Sequence, residues 1–208
     1  MCGGRGTRLG GDTEKPLTPI AGRPMVDRVC DALAESRIET AHAVVSPHAS
    51  ATRAHLTDEG TDRSVIDAPG DGYVADLRYA MEAVGAGDAP LLTAAADLPL
   101  LDAAAVDAVI DAALAAGDDD APRSLTVCVP AARKRDLGVS VDAATEMDGR
   151  EVVPAGVNVV GGGNGGSGGG DAAVHLTEDV RLAVNVNYPS DARVAERLLA
   201  DGDHSHGI

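Results

Sequence analysis

The sequence contains no phenylalanine and no tryptophan, and its tyrosines are only Tyr73, Tyr79 and Tyr188. What core it has must be built from small aliphatic residues. Lysine is almost absent as well: of 17 basic residues only Lys15 and Lys134 are lysines, and the remainder are arginine. The three cysteines, Cys2, Cys30 and Cys128, are too few and too scattered for a disulfide framework or a zinc site. They suggest a reducing interior and therefore a cytoplasmic location. No apolar run approaches the roughly 20 residues of a membrane span. Met1 leads into Gly and Arg rather than into the apolar stretch of a signal peptide.

What is abundant is acid. Thirty-three Asp and Glu face 17 Lys and Arg, for a net charge of -16 over 208 residues. A hydrophobic share of 44% excludes a disordered acidic chain, and the length suits a single domain over 1–208. The charge argues against a duplex nucleic-acid reader, which needs a basic footprint, and against an anionic membrane surface as partner. The acid is spread along the whole chain rather than focused in one block. With few lysines and a small-residue core, it reads as a halophilic solvent adaptation rather than as the imprint of a ligand.

Apolar periodicity predicts alternating strands and helices. Helices are expected over 25–36, 47–58, 72–84, 102–116 and 190–199, with Asp102 capping the fourth. Strands are expected over 42–46, around Val65 and Ile66, and over 91–95, 125–129, 152–160 and 182–186. The alternation predicts an α/β fold with a mostly parallel sheet covered by helices on both faces. The run 161–170, GGGNGGSGGG, reads as a flexible loop by composition, and 201–208 as a disordered tail.

The first turn carries most of the chemical information. Gly3, Gly4, Gly6, Gly10 and Gly11 crowd a short loop, where backbone N–H groups can turn toward an anion without side-chain obstruction. Arg5 and Arg8 add forked donors suited to phosphate oxygens, and Lys15 adds a mobile point charge. No Gly-Lys-Ser/Thr follows, so this is not a Walker A loop. The glycine spacing does not fit a dinucleotide fingerprint either, and no strand precedes it. Further on, Asp97 follows an apolar strand directly and precedes Pro99. Such a position outside the carboxyl end of a strand suits a Mg2+ ligand, and equally the start of a turn.

The run Gly3-Gly4-Arg5-Gly6-Thr7-Arg8, followed by Glu14-Lys15-Pro16-Leu17, resembles the signature of nucleotidyltransferases that consume a nucleoside triphosphate and release pyrophosphate. The resemblance implies a Rossmann-like nucleotidyltransferase fold. It implies that Gly3, Gly4, Arg5, Gly6 and Thr7 wrap the triphosphate with Arg8, that Lys15 neutralises charge near the α-phosphate, and that Asp97 holds Mg2+. Three further segments, GDGYVADL from Gly70, VPAGVNVV from Val153 and Asn185-Val186-Asn187, look like those of archaeal-type GTP:adenosylcobinamide-phosphate guanylyltransferases.

That resemblance implies transfer of GMP from GTP to adenosylcobinamide-phosphate in cobalamin biosynthesis, with Mg2+ as cofactor. Gly72 and Tyr73 become candidates for contact with the guanosine, and Gly156 for close approach of acceptor or nucleotide. Asn185 or Asn187 would complete the metal or ribose contacts, with Asn187 taken as the metal ligand beside Asp97; either could instead cap the closing helix. A molybdenum-cofactor guanylyltransferase, a sugar-phosphate nucleotidyltransferase and a catalytically inactive nucleotide-binding regulator stay open as alternatives, as does a homodimer. The resembling enzymes carry a short apolar strand just before the glycine loop. Here Met1 stands where that strand would end, and the expectation is a native chain that starts several residues earlier.

Overall fold

A computed structural model of the chain describes residues 1–2, 8–10, 13–58, 63–85, 89–117, 122–161 and 172–203. Strand and helix alternate through most of it. A short antiparallel pair, β1 (Pro19–Ile20) and β2 (Arg23–Pro24), leads into α1 (Met25–Ala34). Then β3 (His42–Val45), α2 (Ser50–Leu56), β4 (Ser64–Asp67) and α3 (Tyr73–Ala83) follow. The next elements are β5 (Leu91–Ala94), α4 (Ala103–Ala115), β6 (Leu125–Pro130) and α5 (Ala131–Leu137). The chain continues through β7 (Thr145–Met147), β8 (Arg150–Val160), β9 (Ala173–Leu176), α6 (Val180–Ala183) and α7 (Pro189–Asp203).

Among the described residues the strands form a five-stranded mixed sheet and two separate two-stranded pairs, with flanking helices. β3 and β4 pair in parallel, as do β6 and β9. β8 runs antiparallel to β5, β6 and β7, giving the order β5-β8-β6-β9 with β7 at β8's end. The antiparallel entry of β8 has a local cause. Asp148 and Gly149 both sit at positive φ, at 49° and 73°, the geometry that turns a two-residue hairpin from β7 into β8.

Met1 and Cys2 stand between β3 and β5. The Cys2 N–H donates to Val44 O at 2.8 Å, the Met1 amino group donates to Ala94 O at 2.9 Å, and the Ala96 N–H donates to Met1 O at 3.3 Å. The edges of β3 and β5 next to them line an apolar groove with Val26, Val29, Leu77 and Met81.

The core is aliphatic. Val29 and Ala32 of α1 and Val106, Val109 and Ala113 of α4 pack with Leu125, Val127, Val157 and Val159 of the sheet. Asp102 caps α4 as its sequence position predicts, accepting from the Ala105 N–H at 2.8 Å. The closing helix is also present, running from Pro189 to Asp203.

Two parts of the sequence reading change. The expected strand over 182–186 is instead α6 followed by an extended segment. Asp179 accepts from the Arg181 N–H at 2.9 Å and starts a helical turn, so Leu182 and Ala183 are buried by a helix rather than by a ladder. In addition, α5, β7 and β9 form in segments where apolar periodicity predicts no element. The glycine run beyond Gly161 and the tail beyond Asp203 lie outside the described residues. No helix among those residues is long and apolar enough to cross a membrane.

Candidate active site

The segment Glu14-Lys15-Pro16-Leu17 is locked by its first residue. The Glu14 carboxylate accepts from the Ala51 and Thr52 N–H groups at 2.9 and 2.7 Å and from Thr52 Oγ1 at 2.6 Å. It thereby satisfies the free amides at the start of α2. Burial alone would raise its pKa, but the hydrogen bonds from the Thr52 hydroxyl and the two amides hold it below the ordinary carboxylate value. Pro16 then bends the chain into a short 3-10 turn, Lys15–Leu17, which sends Lys15 toward the end of β5.

Asp97 waits there. Lys15 Nζ donates to Asp97 Oδ2 at 2.5 Å and to Asn187 Oδ1 at 2.7 Å. The second contact exists because the extended segment after α6 runs alongside Asp97, with the Val186 N–H donating to Asp97 O at 3.0 Å. Asn187 is held from behind by Asp191, which is fully buried. Its carboxylate accepts from the Asn187 and Tyr188 N–H groups at 2.9 Å each and from the Ser140 N–H and hydroxyl at 2.8 Å each. The other oxygen of Asp97 faces Asn185 Nδ2 at 3.4 Å.

Two hollows flank Asp97. On one side a cleft of about 360 Å³ is lined by Lys15, Ser46, Gly70, Gly72, Tyr73 and Asp97, among others. Its loop is fixed by the buried Asp76, whose Oδ1 accepts from the Gly70 and Asp71 N–H groups at 2.8 and 3.2 Å. Gly70 is required at that turn: its φ is +84°, and a Cβ there would come within 2.8 Å of Pro47 Cδ. Tyr73 begins α3 half-exposed, its hydroxyl 3.3 Å from Thr93 Oγ1. Ser46 Oγ is buried in the cleft wall and has no hydrogen-bond partner among the described residues. On the other side, Asp97, Lys134, Asp142, Gly156, Asn185 and Asn187 line a second hollow of about 230 Å³.

This arrangement belongs to a recognisable class. The model of the MobA-like NTP transferase domain matches residues 1–153. The chain belongs to that family. It is 29% identical over 208 residues to the adenosylcobinamide-phosphate guanylyltransferase of Methanocaldococcus jannaschii, covering 96% of this chain and 95% of that protein. It is 36% identical over 85 residues to the 2-C-methyl-D-erythritol 4-phosphate cytidylyltransferase of Ralstonia nicotianae, covering 39% of this chain and 34% of the other. In fold it resembles a hypothetical transferase of Thermus thermophilus, with a TM-score of 0.52 and 20% identity, over 73% of this chain and 58% of that one.

As an NTP transferase, the protein keeps the residues singled out in its sequence in three groups. Lys15, Asp97 and Asn187 meet in one hydrogen-bonded cluster, and Gly72 and Tyr73 line the cleft beside it. Arg8 stands apart from that cleft. Its Nη1 lies 3.3 Å from Asp142 Oδ2, and its guanidinium sits 6.0 Å from the centre of the Tyr188 ring. Gly156, at φ +81°, leaves space that protein atoms take up: a Cβ there would lie 3.1 Å from Ala95 Cβ and 3.2 Å from Asn185 Nδ2. Gly3, Gly4, Arg5, Gly6 and Thr7 lie outside the described residues.

Three residues of the candidate site escaped the sequence reading, Ser46, Lys134 and Asp191, and Glu14 entered it only as part of the family motif. Lys134 alone carried a usable signal, as one of only two lysines in the chain.

Asp97 and Asn187 supply oxygen donors that converge on one point. Asp97 Oδ2 and Asn187 Oδ1 already share one cation, the Lys15 ammonium. Hard oxygen donors of this kind suit Mg2+, which takes one or two protein ligands and fills its remaining positions with phosphate oxygens and water. No group of three or more His, Cys, Asp or Glu gathers as a metal cluster among the described residues, so a cation here would depend on its substrate for most of its shell.

Proposed function

We propose that the protein transfers GMP from GTP to adenosylcobinamide-phosphate, producing adenosylcobinamide-GDP and pyrophosphate, a step of cobalamin biosynthesis. The observation that carries the chemistry is the convergence of Lys15, Asp97 and Asn187 at the mouth of the cleft. The acceptor is suggested by similarity to the Methanocaldococcus jannaschii guanylyltransferase over nearly the whole of both chains.

The acceptor phosphate oxygen attacks the α-phosphorus of GTP. A new P–O bond forms, the bond from the α-phosphorus to the oxygen bridging to the β-phosphorus breaks, and that oxygen leaves with pyrophosphate. A phosphate monoester has its second pKa at about 6, so it is already largely dianionic near neutrality. A strong general base is unnecessary. The obstacle is repulsion between two anions, and the cations of the site answer it. Lys15 swings from Asp97 and Asn187 onto the triphosphate and Arg8 approaches from the Asp142 side, while the family resemblance of the Gly3–Thr7 sequence implies further donors to the phosphates. Asp97 and Asn187 would hold Mg2+, which would neutralise phosphate charge. The Gly70–Gly72 loop, Tyr73 and Ser46 face the guanosine, and the second hollow beside Gly156 receives the acceptor phosphate.

Pyrophosphate release with each of the four triphosphates tests this reading. The acceptors are adenosylcobinamide-phosphate, a molybdopterin acceptor and a sugar 1-phosphate, each at low and high salt. The expected result is release with GTP and adenosylcobinamide-phosphate alone, rising with salt in keeping with a halophilic surface. Release with another acceptor only would move the assignment to that acceptor. Tight GTP binding without release would make the protein a nucleotide-binding regulator.

A further inference from the structure

The proposed chemistry leaves one buried charge without a task. Lys134, on α5, is only 2% exposed. Its ammonium donates to Ala183 O at 2.7 Å and to Asn185 Oδ1 at 3.1 Å. Taking an ammonium out of water is costly, and two neutral oxygens are all that accept from this one. Burial pushes the pKa of Lys134 down, against the pull of Asp191, Asp97 and Asp142, which favour its charged form.

Composition sharpens the question. The chain uses arginine for every other basic residue except Lys15. Both lysines reach Asp97, Lys15 directly and Lys134 through Asn185. A guanidinium is planar, wide and forked, and could not replace a compact ammonium between a backbone carbonyl and a single amide oxygen.

Hydrogen-bond polarity then fixes the amide. An ammonium can only donate, so the Asn185 oxygen must face Lys134. The Asn185 NH2 is thereby turned toward Asp97 Oδ1 at 3.4 Å and Ala155 O at 3.0 Å. The carboxylate and the carbonyl can only accept, so the whole chain of contacts has one consistent direction. Asn185 has no free oxygen to give a metal, while Asn187 presents its oxygen to the cation position.

We propose that Lys134 is a positioning residue: acting through Asn185, it anchors Asp97 Oδ1 so that Oδ2 faces Asn187 across the cation position. This rests on the reading of Asp97 and Asn187 as the metal-holding pair. The partners that orient metal ligands contribute about 10–100-fold in metal affinity.

The test compares the dissociation constants of Mn2+·GTP and of metal-free GTP, the latter in EDTA, by titration calorimetry, with thermal melting alongside. Lys134→Met and Asn185→Ala are each expected to weaken Mn2+·GTP about 10–100-fold and leave metal-free GTP unchanged. The double variant is expected to be no weaker than the worse single one, because the two residues act in series. If Lys134→Met does not fold, Asn185→Ala, which removes the link to Asp97, carries the comparison by itself.

Equal weakening of metal-loaded and metal-free GTP would show a merely structural lysine and overturn the proposal. Wild-type Mn2+·GTP affinity in the Lys134 variant, with Asp97→Asn strongly weakened, would overturn it while leaving the function standing. Wild-type affinity in Asp97→Asn would remove the metal assignment and this proposal with it.

Discussion

Lys15 Nζ lies 2.5 Å from Asp97 Oδ2, joining residues 82 apart in the sequence. The same ammonium lies 2.7 Å from Asn187 Oδ1. The Lys15 ammonium thus sits between the same two oxygens that are proposed to hold the metal. Under the proposed function, drawing Lys15 toward phosphate oxygens would free both of these oxygens for the metal.

Loss of either partner should fall on the chemical step. Lys15→Met and Asp97→Asn are each expected to lower kcat by about 10²-fold or more, the usual cost of removing one group aimed at transition-state charge. Lys15→Arg should not restore the rate, because a guanidinium does not reproduce a compact ammonium between two oxygens. Pyrophosphate release, with circular dichroism confirming the fold, checks this; a rate within a few-fold of wild type for Asp97→Asn removes the assignment.

Glu14 should make part of the stability acid-sensitive. Its folded pKa lies below the ordinary value of 4.5, so the unfolded chain binds the proton more readily. The stabilisation is fully present above that ordinary value and is lost as the pH falls through the folded one. Glu14→Ala is expected to cost about 0.5–2 kcal/mol at neutral pH, as for other lost helix caps. The gap to wild type should close in acid. Urea melts across the acid range measure it, and a gap independent of pH counts against the cap.

Ser46 offers a buried hydroxyl with no partner among the described residues. An unsatisfied buried polar group is a cost to the folded state. Ser46→Ala should therefore leave the melting temperature unchanged or raise it, while narrowing the difference in kcat/KM among the four triphosphates. A variant that melts lower and keeps its triphosphate preference would assign Ser46 to the fold alone.

The groove between β3 and β5 should accept a strand. Among the described residues β3 pairs with β4 and β5 with β8, and only Met1 and Cys2 bond across the gap. Facing strand edges with an apolar floor are a template for pairing. Adding four or five alternating Val and Ile residues ahead of Met1 is expected to raise the melting temperature. A gain of about 1 kcal/mol corresponds to about 2–4 °C in a chain of this size. No change, or a fall, would mean that the groove does not admit backbone.

Much of the fold was legible because local rules agreed. α4 shows an acidic cap, an apolar stripe and no breakers, and the structure places it over Ala103–Ala115. β3, β5 and β6 are short apolar runs between turn residues. The reading failed where tertiary contacts overrode pattern. Val184 and Val186 are buried like strand residues, but the Asp179 cap and the run past Asp97 hold them outside the sheet. α5 was missed because it buries only Ala131 and Lys134, leaving too little apolar periodicity. Yet Pro130 before it and Gly138 at its end, with φ +79°, are ordinary start and stop signals for a helix.

The sequence by itself determined the family-like loop, the strand-end aspartate and the alternating architecture. These depend on residue type and short spacing, which are local. It also marked its two lysines by their scarcity. Only the tertiary structure decided that both converge on Asp97, that Asn187 turns its oxygen to the Lys15 ammonium while Asn185 turns its NH2 to Asp97, and that Glu14 and Asp191 brace this cluster. Those facts depend on hydrogen-bond direction between residues up to 172 positions apart. That direction is set by which donor meets which acceptor once the chain has folded, and no local pattern encodes it.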